Sequence, residues 1–389
     1  MTIHETDTDI TIIGGGPVGL YLAIRLLNAG ISCTVLEKNS TIDPHSKSLG
    51  IHPVSLNLFD HCGLTPAFLN QGLKIRSGIA FWNRDRIGKI TFDNLPGEHR
   101  YILSLPQWRT EKILSDKVNK LKSDCLLRGA EVTEIQDNNE DRVQVAYKKN
   151  GANCRISSQF VVGCDGKTGF LRDALDIPFH GKSYPDTYIM GDYTDNTSFG
   201  HDAAVYLHEE GLIECFPLPD GQRRWVVKTD EYIREPQSKQ LEKFIQHRLG
   251  HSLDGCRNSM VSSFGVQHFL AEQFHHGRCL LAGDAAHIVS PIGGQGMNLG
   301  WLDAEETFSV IQKALTLPEK YPVLFRQYSS ERKKIARQVA RRAELNMHLG
   351  RKESSSAFYR GLVSLMLNTP LSGLFAKIFT MHGLGKWPV

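Results

Sequence analysis

The sequence predicts an α/β chain: a parallel sheet wound through β-α-β units, a second and mostly antiparallel β-sheet inserted into it, and a helical C-terminus. Three observations carry this prediction. The chain opens on a short apolar run that ends in glycines, "DITIIGGG". The same run-into-turn pattern returns far downstream as "QFVVGCDG" and "RCLLAGDAA". Between these returns the apolar residues alternate at strand period, and after the last they recur at helical period.

The elements follow in order. "DITIIGGG" reads as a buried strand entering a tight turn. "PVGLYLAIRLLNAG" has helical spacing, with Gly30 as the C-terminal stop. "ISCTVLE" is a second buried strand and completes a β-α-β unit. "GIAFWNRDRIGKITFDN" alternates like two strands joined by a polar turn. "LPQWRTEKILSDKVNKL" reads as a helix with Pro106 near its start. "EVTEIQDNNEDRVQVAYKKNGANCRIS" reads as antiparallel strands, with Asn150-Gly151 as a hairpin turn. "AAVYLHEEGLIECFPL", "RRWVVKT" and "SMVSSFGVQHFLA" are strand-like, and "SKQLEKFIQHRLG" is a helix among them. In "ERKKIARQVARRAELNMHLG" Ile335, Val339, Ala343 and Met347 form an apolar face opposite a basic, solvated one.

The chain has 389 residues, enough for two domains or one intertwined pair. Its net charge of +3 is too mild to indicate a nucleic-acid partner. "MTIHETDTDI" carries acids and no apolar core, so no secretory leader is expected there. Eight scattered cysteines without a CxxC pair point to a reduced, cytoplasmic setting, with no metal site. The most apolar long segment, "GLVSLMLNTPLSGLFA" (residues 361 to 376), is broken by Pro370 and bracketed by Arg360 and Lys377. It is too short for a transmembrane span and reads as a buried or interface helix, or as a surface membrane contact.

Three motifs carry chemistry. In "IIGGGPVGL", Gly14, Gly16 and Gly19 let a backbone approach a pyrophosphate, and Pro17 opens the helix whose N-terminus would face it. Glu37 lies 18 residues beyond Gly19, at the end of the next strand, where a carboxylate takes ribose hydroxyls. The second motif is "VVGCDGKTGFLR", with Asp165 at a strand end. The third is "GDAAHIVSPIGGQGMNLG". Asp284 sits at another strand end, positioned to accept hydrogen bonds from a polyol. Gly293, Gly294 and Gly296 make room for a flat ring, and a helix beginning near Met297 and Asn298 would aim its N–H groups at it.

Together these motifs resemble the single-component FAD monooxygenases related to para-hydroxybenzoate hydroxylase, in order, from about residue 8 to 345. The resemblance implies a Rossmann-like FAD-binding domain over 1–75, 100–178 and 276–345. It implies an inserted substrate-binding β-sheet domain over 76–99 and 179–275, and a C-terminal helical segment over 346–389. Gly14, Gly16, Gly19 and Glu37 would hold the ADP half of FAD, and Asp284 its middle. Pro291, Gly294, Gly296, Met297 and Asn298 would line the flavin ring, with Gln107 beside it and Arg109 as a neighbour. Asp165 and Arg172 match a motif linked to FAD and NAD(P)H. Lys47 stands where the family usually has an FAD-contacting arginine, and lysine lacks that residue's bidentate fork.

The implied activity is hydroxylation of an aromatic or polycyclic small molecule with NADH or NADPH as transient co-substrate. O₂ reacts at the flavin to give a C4a-hydroperoxide. The alternatives are epoxidation, oxidative decarboxylation, isoprenoid reduction, or an FAD-binding redox sensor without turnover. A halogenase is disfavoured, because no GWxWxIP-like stretch occurs. The compact length resembles members without a third, thioredoxin-like domain, as monomer or homodimer. His52 is a candidate substrate contact and His287 a cofactor-side support. Tyr206, His208 and Phe216, with Pro291 and Gly293, are candidate substrate-pocket residues, while His275-His276 reads as loop. Residue types alone nominate no catalytic base.

Overall fold

The computed structural model describes residues 4–44, 48–137, 141–349, 361, 363–365, 367–369 and 371–383. The chain opens with β1 (His4–Ile13), α1 (Pro17–Asn28) and β2 (Cys33–Glu37). Then come β3 (Gly50–Ile51), α2 (Pro53–Asp60), α3 (Thr65–Gln71) and β4 (Leu73–Ile75). The polar-turn hairpin is β5 (Ser77–Trp82) and β6 (Asp85–Thr91), and β7 (Ile102–Ser104) follows. Helix α4 (Gln107–Leu121) starts directly after Pro106. The next strands are β8 (Leu126–Arg128), β9 (Ala130–Gln136), β10 (Val143–Lys149) and β11 (Ala152–Gly163), with Asn150-Gly151 closing the β10–β11 hairpin.

After α5 (Phe170–Ala174) the chain enters β12 (Phe179–Thr194), β13 (Ala203–Leu207), β14 (Ile213–Leu218) and β15 (Gln222–Thr229). Helix α6 (Ser238–Leu249) and β16 (Asn258–Ala271) complete that region. The chain returns through β17 (His275–His276), β18 (Cys279–Leu281) and β19 (His287–Ile288) to α7 (Gln295–Thr316), α8 (Tyr321–Leu349) and α9 (Leu371–Phe379).

The first sheet runs β17-β18-β11-β1-β2-β8, with β10 and β9 appended beside β11. Pairing along β18-β11-β1-β2-β8 is parallel throughout. Its central strands are covered on both faces, which explains their unbroken apolar runs. Ile10, Ile12, Val35, Val161, Val162, Leu280 and Leu281 are all fully buried. The second sheet runs β19-β16-β12-β15-β14-β13-β5-β6 and is antiparallel except where β13 pairs with β5. One face packs on α6 through Ile189, Tyr193, Tyr206, Trp225, Leu241 and Ile245. A third sheet of three strands runs β3-β7-β4.

The longest strand, β12, has no counterpart in the sequence reading. Its first half, "FHGKSYPD", carries a glycine and a proline and shows no clean alternation. Proline removes a ladder donor. The strand absorbs it with a register shift between Ser183 and Thr187. His275-His276 forms a short strand paired with β18 rather than a loop. The basic face of α8 is exposed at Lys334, Arg337 and Arg341, whereas Arg332, seven residues before Val339, lies on the buried face.

Helices α1 and α7 lie side by side although 266 residues separate the end of α1 at Asn28 from the start of α7 at Gln295. Trp301 donates its indole N–H to the Pro17 carbonyl at 3.0 Å. Glu305 accepts from the Tyr21 hydroxyl and the Arg25 guanidinium, each at 2.7 Å. A Cβ on Gly300 would press on Val18, so the glycine sets how near the two helices come. Among the described residues, no helix is long and apolar enough to cross a membrane.

Candidate active site

The parallel strands end at one place. Ile13-Gly14 after β1, Glu37 of β2, Cys164-Asp165 after β11 and Ala282 with Asp284 after β18 all line a single cavity. Ligands of open α/β sheets bind at the carboxyl ends of the strands, where strand order reverses. Here β1 lies between β2 and β11, which places that reversal at β1. The cavity volume is about 1030 Å³. Common small-molecule pockets occupy about 300–1,000 Å³, so there is space for a large cofactor with a second ligand beside it.

Two helix N-termini open onto this cavity. Helix α1 begins after Gly16 with no side-chain cap and no acid in its first turn, and Gly16, Pro17 and Val18 line the wall. A Cβ at Gly16 would meet no protein atom. Helix α7 begins after Gly294, again with no side-chain cap and no acid in its first turn. Gly293 and Gly294 take φ values of +89° and +65°, which glycine adopts without a Cβ penalty. Gly293, Gly294, Gly296 and Met297 line the cavity with Pro291. Free N–H groups and positive helix ends at two points suit a ligand carrying negative charge at two points.

These residues fit FAD. Glu37 stands at the α1 end, where its carboxylate accepts backbone N–H bonds from Gly15 at 2.7 Å and Asn39 at 2.8 Å. Those bonds fix its orientation and leave lone pairs for ribose hydroxyls. Asp284 opens onto the cavity from the turn after β18, and burial raises its carboxyl above the usual range. Gln107 also lines the wall and donates to Glu111 at 2.9 Å.

Several expected contacts are corrected. Arg109 pairs with Asp220 and lies away from the cavity. Gln107 and Glu111, four apart, share the cavity face of α4, and a residue two positions along points elsewhere. Asn298 is fully buried and lines no wall. Its side chain accepts from the His52 N–H and Ser55 hydroxyl and donates to the Gly50 and Gly294 carbonyls, tying α7 to the β3–α2 turn. Asp165, by contrast, does line the cavity, and its carboxylate also takes the Leu171 N–H at 2.9 Å, which holds the turn into α5. Arg172 is buried and braces the Ala285 carbonyl at 3.2 Å. Gly19 lies behind the wall, where a Cβ would overlap the Gly14 carbonyl. Lys47 falls outside the described residues.

Tyr206 and His208 do not reach the cavity, whereas Val205, Leu207 and Phe216 do. Strand residues alternate faces. Tyr206 therefore packs against Phe81 on the α6 side, at 4.5 Å between ring centroids. His52 does line the cavity and stacks on Phe379. Burial, reinforced by His382, lowers its pKa to about 4, so it is neutral near pH 7. His287 is buried off the cavity and binds Asp303 at 2.5 Å. Among the described residues no cluster of metal-ligating side chains occurs.

The sequence reading missed two groups. One is the set of cavity residues in the C-terminal segment, which the sequence marks as a buried or interface helix without naming them: Val363, Leu367, Phe375, Ile378 and Phe379 form part of the cavity wall. The other is Glu214 of β14, which lines the cavity and is nearly buried. It shares strand parity with Phe216, and that signal was available. Burial pushes its carboxyl up to about 7. A raised acid pKa favours the folded state while protonated, so stability falls as pH climbs from the unfolded value near 4.3 to about 7. Glu214→Gln is thus expected to gain stability over the parent at pH 8, on the order of 3 kcal/mol, and little at pH 4.5. Melting curves at the two pH values check this; an equal difference at both would contradict it.

A bipartite cavity at the carboxyl ends of a parallel sheet, with two uncapped helix N-termini, defines a dinucleotide-binding α/β protein of the flavoprotein class. The chain belongs to the FAD binding domain family, which it matches over residues 7–343. It is 34% identical over 302 residues to the uncharacterized aromatic compound monooxygenase YhjG of Bacillus subtilis, covering 76% of this chain and 60% of that protein. It is 30% identical over 407 residues to the 12-dehydrotetracycline 5-monooxygenase/anhydrotetracycline 6-monooxygenase of Streptomyces rimosus, covering 98% and 78%. The fold matches p-nitrophenol 4-monooxygenase PnpA of Pseudomonas putida, with a TM-score of 0.86, 20% identity and 97% of each chain covered.

Proposed function

We propose that the protein is an FAD-dependent monooxygenase that hydroxylates an aromatic or polycyclic small molecule, with NAD(P)H and O₂ as co-substrates. The observation that carries this reading is the single cavity. It joins a polar, helix-flanked half to an apolar half walled by the second sheet and the C-terminal helix. The names of YhjG and the tetracycline monooxygenase describe oxygen insertion into aromatic and polycyclic compounds, which supports the same class here. In this reading 1–75, 100–178 and 276–345 form the FAD-binding unit, 76–99 and 179–275 the substrate unit, and 346–389 a C-terminal helical segment, of which 350–360, 362, 366, 370 and 384–389 lie outside the described residues. Eight free cysteines support a reducing, cytoplasmic setting.

FAD bound here supplies hydride acceptance from NAD(P)H and O₂ activation. The balance is substrate C–H, NAD(P)H, H⁺ and O₂ giving substrate C–OH, NAD(P)⁺ and H₂O. The chain's own residues position and shield. Glu37 and the α1 N-terminus would hold the adenosine and pyrophosphate, Asp284 the ribityl hydroxyls, and the α7 N-terminus the electron-rich edge of the ring. Phe379 and neutral His52 add an apolar wall that excludes water.

The test is NAD(P)H consumption by FAD-loaded protein with and without a panel of phenols. Acceleration, with a product carrying one added oxygen by mass spectrometry, is the expected result. No acceleration by any aromatic or polycyclic compound would reject the reading. Asp284→Ala is expected to fold normally and to lower FAD affinity about tenfold or more, through loss of a charged hydrogen-bond acceptor. Flavin absorbance per protein after gel filtration measures it, and full occupancy would remove Asp284 from the site.

A further inference from the structure

Glu214 stands out among the cavity residues. The wall around it is apolar: Val205 is its partner on β13 and Val226 its partner on β15, and both line the cavity. Leu212 and Val226 cluster with Ile292, which immediately precedes Gly293. This stretch of wall therefore adjoins the glycine turn before α7. Glu214 is only 8% exposed, and its carboxyl has no hydrogen-bond or ion-pair partner among the described residues.

The neighbouring charges are all committed elsewhere. Arg224 of β15 lines the same wall, but it is held by Asp192 at 2.7 and 2.8 Å. Lys228, further along β15, pairs with Asp186 at 3.2 Å. Of the other titratable groups, His52 lines the same cavity and is adjoined by His382. A buried carboxyl without a partner costs stability unless something else satisfies it. On a cavity wall such a group is completed by a water or by a ligand hydroxyl.

We propose that Glu214 is the polar anchor of the substrate half of the cavity, accepting an O–H bond from a hydroxyl on an otherwise apolar ring system. The inference rests on the hydroxylase reading and names its substrate class: neutral, hydroxyl-bearing aromatic or polycyclic compounds. Aryl carboxylates are rejected, because their charge would face that of Glu214 inside an apolar wall. An ether of the same shape offers no donor and leaves the carboxyl unpaired.

Isothermal titration of the FAD-loaded protein with 2-naphthol, its methyl ether, 2-naphthoate and a naphthylmethylammonium tests this. The naphthol is expected to bind at least about tenfold tighter than the ether, with no binding of the carboxylate. Glu214→Leu collapses the naphthol-to-ether ratio toward one while FAD occupancy stays full. Glu214→Gln keeps part of the ratio and removes its pH dependence. In the parent that ratio rises between pH 6 and 8, as the carboxyl ionises and becomes the stronger acceptor.

Tighter binding of the carboxylate or the ammonium overturns the proposal. So does an unchanged ratio in Glu214→Leu, or failure of the whole panel to bind at full FAD occupancy. Selective naphthol binding without any stimulated NAD(P)H consumption would leave Glu214 as the anchor and reject the hydroxylase reading instead.

Discussion

Gly16→Val yields a folded protein that no longer holds FAD. Gly16 sits in extended backbone, φ −78° and ψ −175°, which valine adopts readily and which the following Pro17 favours. A Cβ there meets no protein atom and projects into the cavity where α1 begins. The branched side chain thus fills the cradle and leaves the chain's own packing intact. FAD affinity is expected to fall more than about 100-fold, about 2.7 kcal/mol. The cost to the apo-protein is that of exchanging one N-cap residue, about 1 kcal/mol.

Gly14→Ala is the contrasting case. Gly14 has φ +107°, and a Cβ would overlap the carbonyl of Cys164 where β1 and β11 end together. That variant is expected to lose soluble, folded protein. Flavin absorbance and a circular-dichroism melt separate the two outcomes. Full FAD occupancy in Gly16→Val would show that the pyrophosphate does not lie at this helix.

Asp303→Ala is the second large effect, and it acts without touching the cavity. Asp303 is fully buried on α7 and accepts from Arg332 at 2.6 Å and His287 at 2.5 Å, and from the Gly283 N–H at 3.0 Å. Gly283 and His287 flank Asp284 along the chain, so one carboxylate holds both sides of that turn. Removing it leaves a guanidinium buried without its counter-charge, a loss of about 3–5 kcal/mol. For a chain of this size that lowers Tm by about 4–6 °C. FAD affinity should fall as well, because the turn presenting Asp284 loosens. Arg332→Met combined with Asp303→Ala should cost less than the two single changes summed. Strict additivity would show that the two side chains act independently.

The pH response has a definite sign. Arg332 and His287 hold the Asp303 carboxyl below its usual range against the opposing effect of burial. A depressed acid pKa stabilises the fold above the unfolded value, about 3.9, and that contribution is lost as pH falls through the folded value. The parent should therefore lose its advantage over Asp303→Ala on acidification below about pH 4.

What the sequence itself determined was local. The glycine turns after β1 and before α7, the acids at the ends of β2 and β18, and the Asn150-Gly151 hairpin are set by backbone conformation and short-range period. Each therefore shows in a few consecutive residues. Strand β12 escaped because Gly181 and Pro185 erase the alternation, and only pairing with β15 and β16 keeps it extended.

Tertiary structure decided which faces meet. Tyr206 and Glu214 both lie on apolar strands, and nothing local says which side of the second sheet becomes cavity. The packing of α6 covers the face of Tyr206, leaving the opposite face with Val205, Glu214 and Phe216 to the cavity. Asp303 and Arg332 sit on two helices whose sequences read as ordinary amphipathic surfaces. They become one buried pair only when α7 and α8 pack together. Backbone geometry is written in neighbouring residues, whereas the partner of a buried charge is chosen by contacts between elements far apart in the chain.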